Sequence, residues 1–124
     1  MADEEQATNT EHPQQQFAVQ RIYTKDLSFE SPQSPGVFRE QWSPQVNVEL
    51  NTRSEKFDEE GNFEVVLVIT ITAKMNDTTA FLCEVHQAGV FLIRGFEGEN
   101  LRRVLGTAAP NILFPYARET IDNL

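Results

Sequence analysis

Cys83 and His86 stand three residues apart in "CEVH", and a thiol beside an imidazole is the pairing on which nucleophilic catalysis is built. Such a dyad needs hydrogen-bond contact. The surrounding run "AFLCEVHQAGVFLI" (80–93) reads as a β-strand, on which residues three apart point to opposite faces. The pair therefore cannot touch, and Cys83 becomes a small core residue between Phe81 and Val85. Glu84 and His86 do share a face. A metal needs three or four ligands, however, and His12 lies far off in a polar N-terminal stretch. "GFEG" (95–98) is a lone Gly-x-x-Gly whose Glu97 would repel a phosphate, and Asp58, Glu59 and Glu60 crowd a turn tip. No nucleophile elbow, phosphate-binding loop, zinc-finger spacing or dinucleotide fingerprint is present. The reading is a protein that is not an enzyme and takes neither metal nor cofactor.

The same strand carries a second, non-catalytic pattern. Leu82 and Glu84 project from its outward face, as Asp26 and Glu30 do from the first strand. Should those strands lie near each other, an exposed leucine sits among three carboxylates. That arrangement suits a docking surface for a basic partner, although single exposed apolar residues are ordinary.

The elements that would position these residues are set by periodicity. Residues 1–16 are polar and read as a disordered acidic arm. From Phe17, alternation places Phe17, Val19, Tyr23, Leu27 and Phe29 on one side of a strand and Gln20, Thr24, Asp26, Ser28 and Glu30 on the other. "SPQSPGVFREQWSP" (31–44) has three prolines and a glycine and reads as a long irregular connection holding Phe38 and Trp42. Val46, Val48 and Leu50 alternate in a second strand. "FEVVLVITITA" (63–73) is apolar on nearly every position, the mark of a strand covered on both faces. "MND" (75–77) makes a tight turn into the fourth strand. The simplest topology is a four-stranded antiparallel meander, with the long first connection leaving strand one free to pair elsewhere.

After Gly95 the period becomes helical. Leu101, Val104 and Leu105 share a face, and Gly106 suits a C-cap. Leu113, Ala117, Ile121 and Leu124 recur in a final helix opening near Thr107 or near Asn111, with Pro110 or Pro115 in its first turn. Strands succeeded by helices predict an α+β fold with helix packed on one sheet face. One face of the third strand takes that helix. The other needs cover, most simply from another copy of the chain, and Leu113, Ala117 and Ile121 face either the sheet or an oligomer interface.

Composition narrows the partners. The chain has 124 residues, one domain's worth, with nineteen acidic against ten basic residues and a formal charge of −9. A field of that sign repels phosphate backbones and favours basic polypeptides over nucleic acid. The single cysteine excludes an intrachain disulfide. The N-terminus lacks the charge and apolar core of a signal peptide, and no stretch approaches a membrane span, so the expectation is a cytoplasmic protein without membrane insertion.

"RIYTKDLSFESP" (21–32), "TAFLCEV" (79–85) and "PNILFPYARETI" (110–121) together resemble the SecB-type protein-export chaperones, from about Phe17 to the last residue. The last string is the most specific. The resemblance implies a four-stranded sheet that becomes eight-stranded across a dimer, and a homotetramer built as a dimer of dimers. It implies a holdase that keeps preproteins unfolded and delivers them to the ATPase of the secretion translocase. On matching positions it assigns ATPase docking to Asp26, Glu30, Leu82 and Glu84. It gives the client groove Phe38 and Trp42, and the oligomer interface Cys83, Val85 and Gln87 alongside Leu113, Ala117 and Ile121. The family chain runs on into a second helix and a tail, so residues 17–124 are expected to be a chaperone domain incomplete at its C-terminus. The competing reading is an oligomeric, non-enzymatic binding domain of the same fold that docks one folded partner, such as an antitoxin-associated chaperone.

Overall fold

Asn76 and Asp77 both take left-handed backbone angles (φ 53° and 67°), which their short polar side chains tolerate. This two-residue turn doubles β3 (Asn62–Met75) straight back into β4 (Thr78–Arg94). The computed structural model describes residues 15–39 and 43–124. At the far end of β3, the Asp58 carboxylate accepts the N–H groups of Glu60 (2.8 Å) and Asn62 (3.2 Å) and closes the turn from β2 (Gln45–Lys56). The fourth strand, β1 (Gln16–Glu30), does not extend the meander. It pairs with β4, so the order across the antiparallel sheet is β1-β4-β3-β2. The Pro-rich connection carries the chain from one sheet edge to the other. A 3₁₀ turn (Gly36–Arg39) anchors it through Val37, which is buried in a small cluster with Ala73, Met75 and Ala80. Of the arm expected over 1–16, residues 1–14 lie outside the described residues, and Gln16 already pairs with Arg94.

Helix begins at Glu99 and runs as α1 (Glu99–Arg103), a wide π turn (Val104–Ala108) and α2 (Ala109–Asp122). Gly106 lies inside this path and caps nothing, contrary to the sequence expectation. Pro110 supplies the reason. It has no N–H for the Gly106 carbonyl, and its ring would strike that oxygen in a regular α-turn; a wider turn moves the carbonyl aside. The last helix opens at neither Thr107 nor Asn111 but at Ala109, with Pro110 in its first turn and Pro115 inside it.

α2 lies across β3 and β4. Leu113 and Ala117 are fully buried in a core with Val65, Leu67 and Ile69 of β3 and Cys83, Val85, Phe91 and Ile93 of β4, while Ile121 packs half-buried at its margin. Gly89 permits the close approach. A Cβ there would stand 2.8 Å from Phe91 Cε1 and 3.1 Å from both Leu113 Cδ2 and the Arg21 carbonyl.

The strict alternation expected along β1 fails in its middle. Register shifts occur between Val19 and Arg21 and between Thr24 and Asp26. Each inserts one residue and exchanges the faces of the residues beyond it. Between the bulges Ile22 opposes Gly89 on the helix side, and Tyr23 opposes Ala88 on the outer side. Tyr23 and Thr24 thus swap sides relative to the expectation. The second bulge restores it: Leu27 and Phe29 oppose Val85 and Cys83, while Asp26, Ser28 and Glu30 oppose His86, Glu84 and Leu82.

The need for cover also falls elsewhere than expected. On the outer face of β3, Val66 is buried and Val68, Thr70 and Thr72 are half-buried within the chain itself. α2 spans only the two inner strands. On the helix side of the edges, Phe17, Val19, Leu27 and Phe29 of β1 and Val46, Val48 and Leu50 of β2 stay exposed.

Gly89→Ala should force the helix off the sheet and cost about 1–3 kcal/mol, the usual penalty for overpacking a filled core. It should be read as a lower urea midpoint with an unchanged slope; an unshifted midpoint would show that the approach at Gly89 is not tight.

Candidate functional site

On the outer face, the pairing of β1 with β4 sets Glu30 opposite Leu82, Ser28 opposite Glu84 and Asp26 opposite His86. Three carboxylates and a leucine from two neighbouring strands thus share one surface, because the pairing of β1 with β4 meets the condition on which the sequence reading depended. Leu82 is 37% exposed, and Asp26 and Glu30 are exposed as well. Glu84 reaches along the strand to His86 Nε2 at 2.6 Å, with the carboxylate the more exposed of the pair. Asp26 accepts the Leu27 N–H at 2.9 Å through its own side chain, which holds that carboxylate beside the bulge.

The bulge that turns Asp26 outward is gripped from both faces. On the helix side, the buried Gln87 donates from Nε2 to the Tyr23 carbonyl at 3.0 Å; bulged strands leave such carbonyls without a ladder partner. On the outer side the Tyr23 hydroxyl donates to the Glu64 carboxylate, and Lys25 Nζ bonds both Glu64 oxygens at 2.8 and 2.9 Å. Both side chains cross β4 to reach β3. Desolvation first, then the hydrogen bond and the charge of Glu64, push the Tyr23 phenol from 10.0 up to about 12. The hydrogen bond from Lys25, then that from Tyr23, hold Glu64 below the usual carboxylate range. Sequence reading missed this network, because its members are separated by 39 and 41 residues and a bulge reverses Tyr23. No local signal marked it.

The register separates Cys83 and His86 onto opposite faces, Cys83 beneath α2 and His86 outside. Burial raises the Cys83 thiol pKa, so it stays protonated and unreactive. Among the described residues no three His, Cys, Asp or Glu side chains gather as a metal site. The residues expected at an oligomer interface lie inside the single chain: Cys83, Val85, Gln87, Leu113 and Ala117 are buried and Ile121 is half-buried. The Gln87 carbonyl oxygen is buried without a hydrogen-bond partner among the described residues. Of the expected client groove, Trp42 lies outside the described residues, and only the backbone of Phe38 is placed, in the 3₁₀ turn. A separate groove of about 320 Å³ runs between β2 and α2, lined by Leu50, Thr52, Leu67, Pro110 and Phe114. The alternation of Val46, Val48 and Leu50 was visible in the sequence, but not that α2 stops short of them.

Residues 10–124 match the family described as preprotein translocase subunit SecB. A relative in Hahella chejuensis, named protein-export protein SecB, is 60% identical over 117 residues, 94% of this chain and 73% of that protein. One of the same name in Marinobacter nauticus is 54% identical over 125 residues, 100% of this chain and 75% of that protein. Among solved structures, a SecB-like chaperone of Mycobacterium tuberculosis in complex with a ChAD peptide from an antitoxin matches with a TM-score of 0.67. It is 14% identical and covers 84% of this chain and 77% of that one, a likeness of fold alone.

The stability linked to the Tyr23 proton, held by burial first and by Glu64 second, should be complete below pH 10 and drain away as pH rises through about 12, because the folded state holds the phenolic proton more tightly than the unfolded chain. Alkaline spectrophotometric titration should show one phenol ionising near pH 12. Its persistence in Tyr23→Phe would assign it elsewhere.

Proposed function

This chain belongs to the SecB family of preprotein translocase subunits, and from that premise we propose how its two faces divide the work. It is a protein-export chaperone and not an enzyme. The proposed division gives client holding to the helix side and delivery to the outer side. Asp26, Glu30, Leu82 and Glu84 would dock a basic surface of the translocase ATPase, with Leu82 as the apolar contact inside a ring of carboxylates. The observation that carries this is the β1–β4 register, which sets these residues side by side, with Asp26, Glu30 and Leu82 exposed and Glu84 half-buried. Acidic groups at such a surface speed encounter with a basic partner and exclude acidic ones.

Unfolded preproteins would take the helix side, where apolar residues of both edge strands are uncovered. A holdase must accept many sequences, so apolar grooves and free strand edges serve it better than a precise polar pocket. Phe38 and Trp42 would extend that surface from the Pro-rich connection. Binding the unfolded chain opposes its folding by mass action and needs no nucleotide. A cytoplasmic site of action fits capture before export.

The same uncovered surface supports the reading of a homotetramer, built as a dimer of dimers with an eight-stranded sheet in each dimer. In that assembly Cys83, Val85, Gln87, Leu113 and Ala117 would act by setting the position of α2, since they are already buried beneath or along it. The antitoxin-associated alternative is not favoured, because relatives at 60% and 54% identity carry the protein-export name.

An excess of this protein should delay refolding of a slow-folding secretory precursor and leave the folded precursor unbound. Glu84→Lys should weaken association with the translocase ATPase about tenfold, as a charge reversal in a complementary interface does, and leave the refolding delay intact. Equal loss of both activities would refute the separation of faces. Light scattering should give four chains per particle; a monomer would remove the assembly from the proposal.

A further inference from the structure

Lys25 is the residue inserted at the second bulge, and it leaves β1 on the outer face immediately beside Asp26. A cation there would oppose a surface meant to attract basic partners. Its ammonium does not stay there. It crosses β4 and binds both oxygens of Glu64 at 2.8 and 2.9 Å. Glu64 stands opposite Val90, four residues along β4 from His86, the partner of Asp26. At the rise of a strand the Glu64 position lies about 14 Å from that of Asp26, beyond a Debye length of about 8–10 Å, and the Lys25 stem is drawn out toward it.

Glu64 is well placed to keep the ammonium. Its carboxylate is 18% exposed, against 43% for the Lys25 side chain, and the Tyr23 hydroxyl also donates to it. Held below the usual carboxylate range by these partners, it remains ionised at any pH near neutrality. The site thus pairs the Lys25 ammonium with an anion whose backbone position stands apart from those of Asp26, Glu30 and Glu84.

We propose that Glu64 is a positioning residue for the acidic docking face, where it draws the Lys25 ammonium away from Asp26 and so preserves the negative field that a basic partner meets. This rests on the docking role proposed for Asp26, Glu30, Leu82 and Glu84. Released from Glu64, the flexible lysine stem swings over the nearest free carboxylates and neutralises part of the face.

The test measures binding of the translocase ATPase by titration calorimetry for four variants at an ionic strength of about 0.15 M, where the Debye length is about 8 Å. Glu64→Gln should weaken binding about twofold to fivefold, the range of one exposed charge pair, with no change in the refolding delay. Adding Lys25→Gln to it should restore wild-type affinity, which a loss of register or stability would not permit. Lys25→Gln alone should bind like the wild type, since that charge is already withdrawn. Unchanged binding by Glu64→Gln, no rescue in the double variant, or tighter binding by Lys25→Gln alone would each overturn the proposal. Glu84→Lys separates the two levels: if it weakens binding while Glu64→Gln does not, only this inference fails, and if neither does, the docking reading fails with it.

Discussion

A β-strand sends successive side chains to opposite faces, and this molecule depends on that constraint being broken twice and restored. β1 runs fifteen residues beside β4. A single inserted residue would leave its second half with the carboxylates under the helix and the aromatics outside. The first bulge makes that exchange and the second cancels it, so Asp26 and Glu30 emerge next to Leu82 and Glu84 while Leu27 and Phe29 turn inward. The segment between the bulges is where Tyr23 reaches the outer face and finds Glu64. Gln87 beneath and Glu64 above fix the second bulge, and with it the identity of both surfaces.

The helical layer imposes the other asymmetry. α2 covers the two central strands, where small residues such as Gly89, Ala109 and Ala117 allow close contact, and it leaves the apolar halves of the edge strands open. A sheet half-covered in this way is a poor end state for an isolated chain, because exposed apolar patches of this kind mark surfaces that bind something. For a protein-export chaperone the same shortfall is useful, since it leaves apolar surface open to a partner. Charge is segregated in parallel: Asp26, Glu30, Glu84, the Lys25–Glu64 pair, Arg21 and Arg53 all lie on the outer face, while from Phe63 to Ile71 of β3 and from Phe81 to Ile93 of β4 the helix side carries apolar residues, Gln87 and Gly89.

The pleat that rules out a Cys83–His86 dyad is the same one that sets Leu82 and Glu84 on the outer face. Cys83 and His86 are neighbours in sequence and face apart across the sheet, and burial keeps the thiol protonated. A strand offers hydrogen-bond contact to side chains two apart, as Glu84 and His86 show at 2.6 Å. It does not offer it to those three apart.

Much was legible from residue order alone. Alternation in 80–93 is unbroken enough that the inward Cys83, Val85 and Phe91 and the outward Leu82, Glu84 and His86 emerge from the pleat, and the helical repeat of Leu113 and Ala117 identifies the buried stripe of α2. These are local consequences of fixed periods of two and 3.6 residues. The bulges were not legible, because an inserted residue leaves no mark in composition and is set by what the partner strand presents. The pairing of β1 with β4 in place of β2, the start of α2 at Ala109 and the Lys25–Glu64 bond likewise depended on contacts between segments tens of residues apart. The sequence determined which side chains share a face within each uninterrupted stretch, such as 80–93 and the helical repeat of Leu113 and Ala117, but not across the bulges of β1. Only the tertiary structure decided which elements lie side by side, because pairing, register and coverage are settled by long-range packing that no local period encodes.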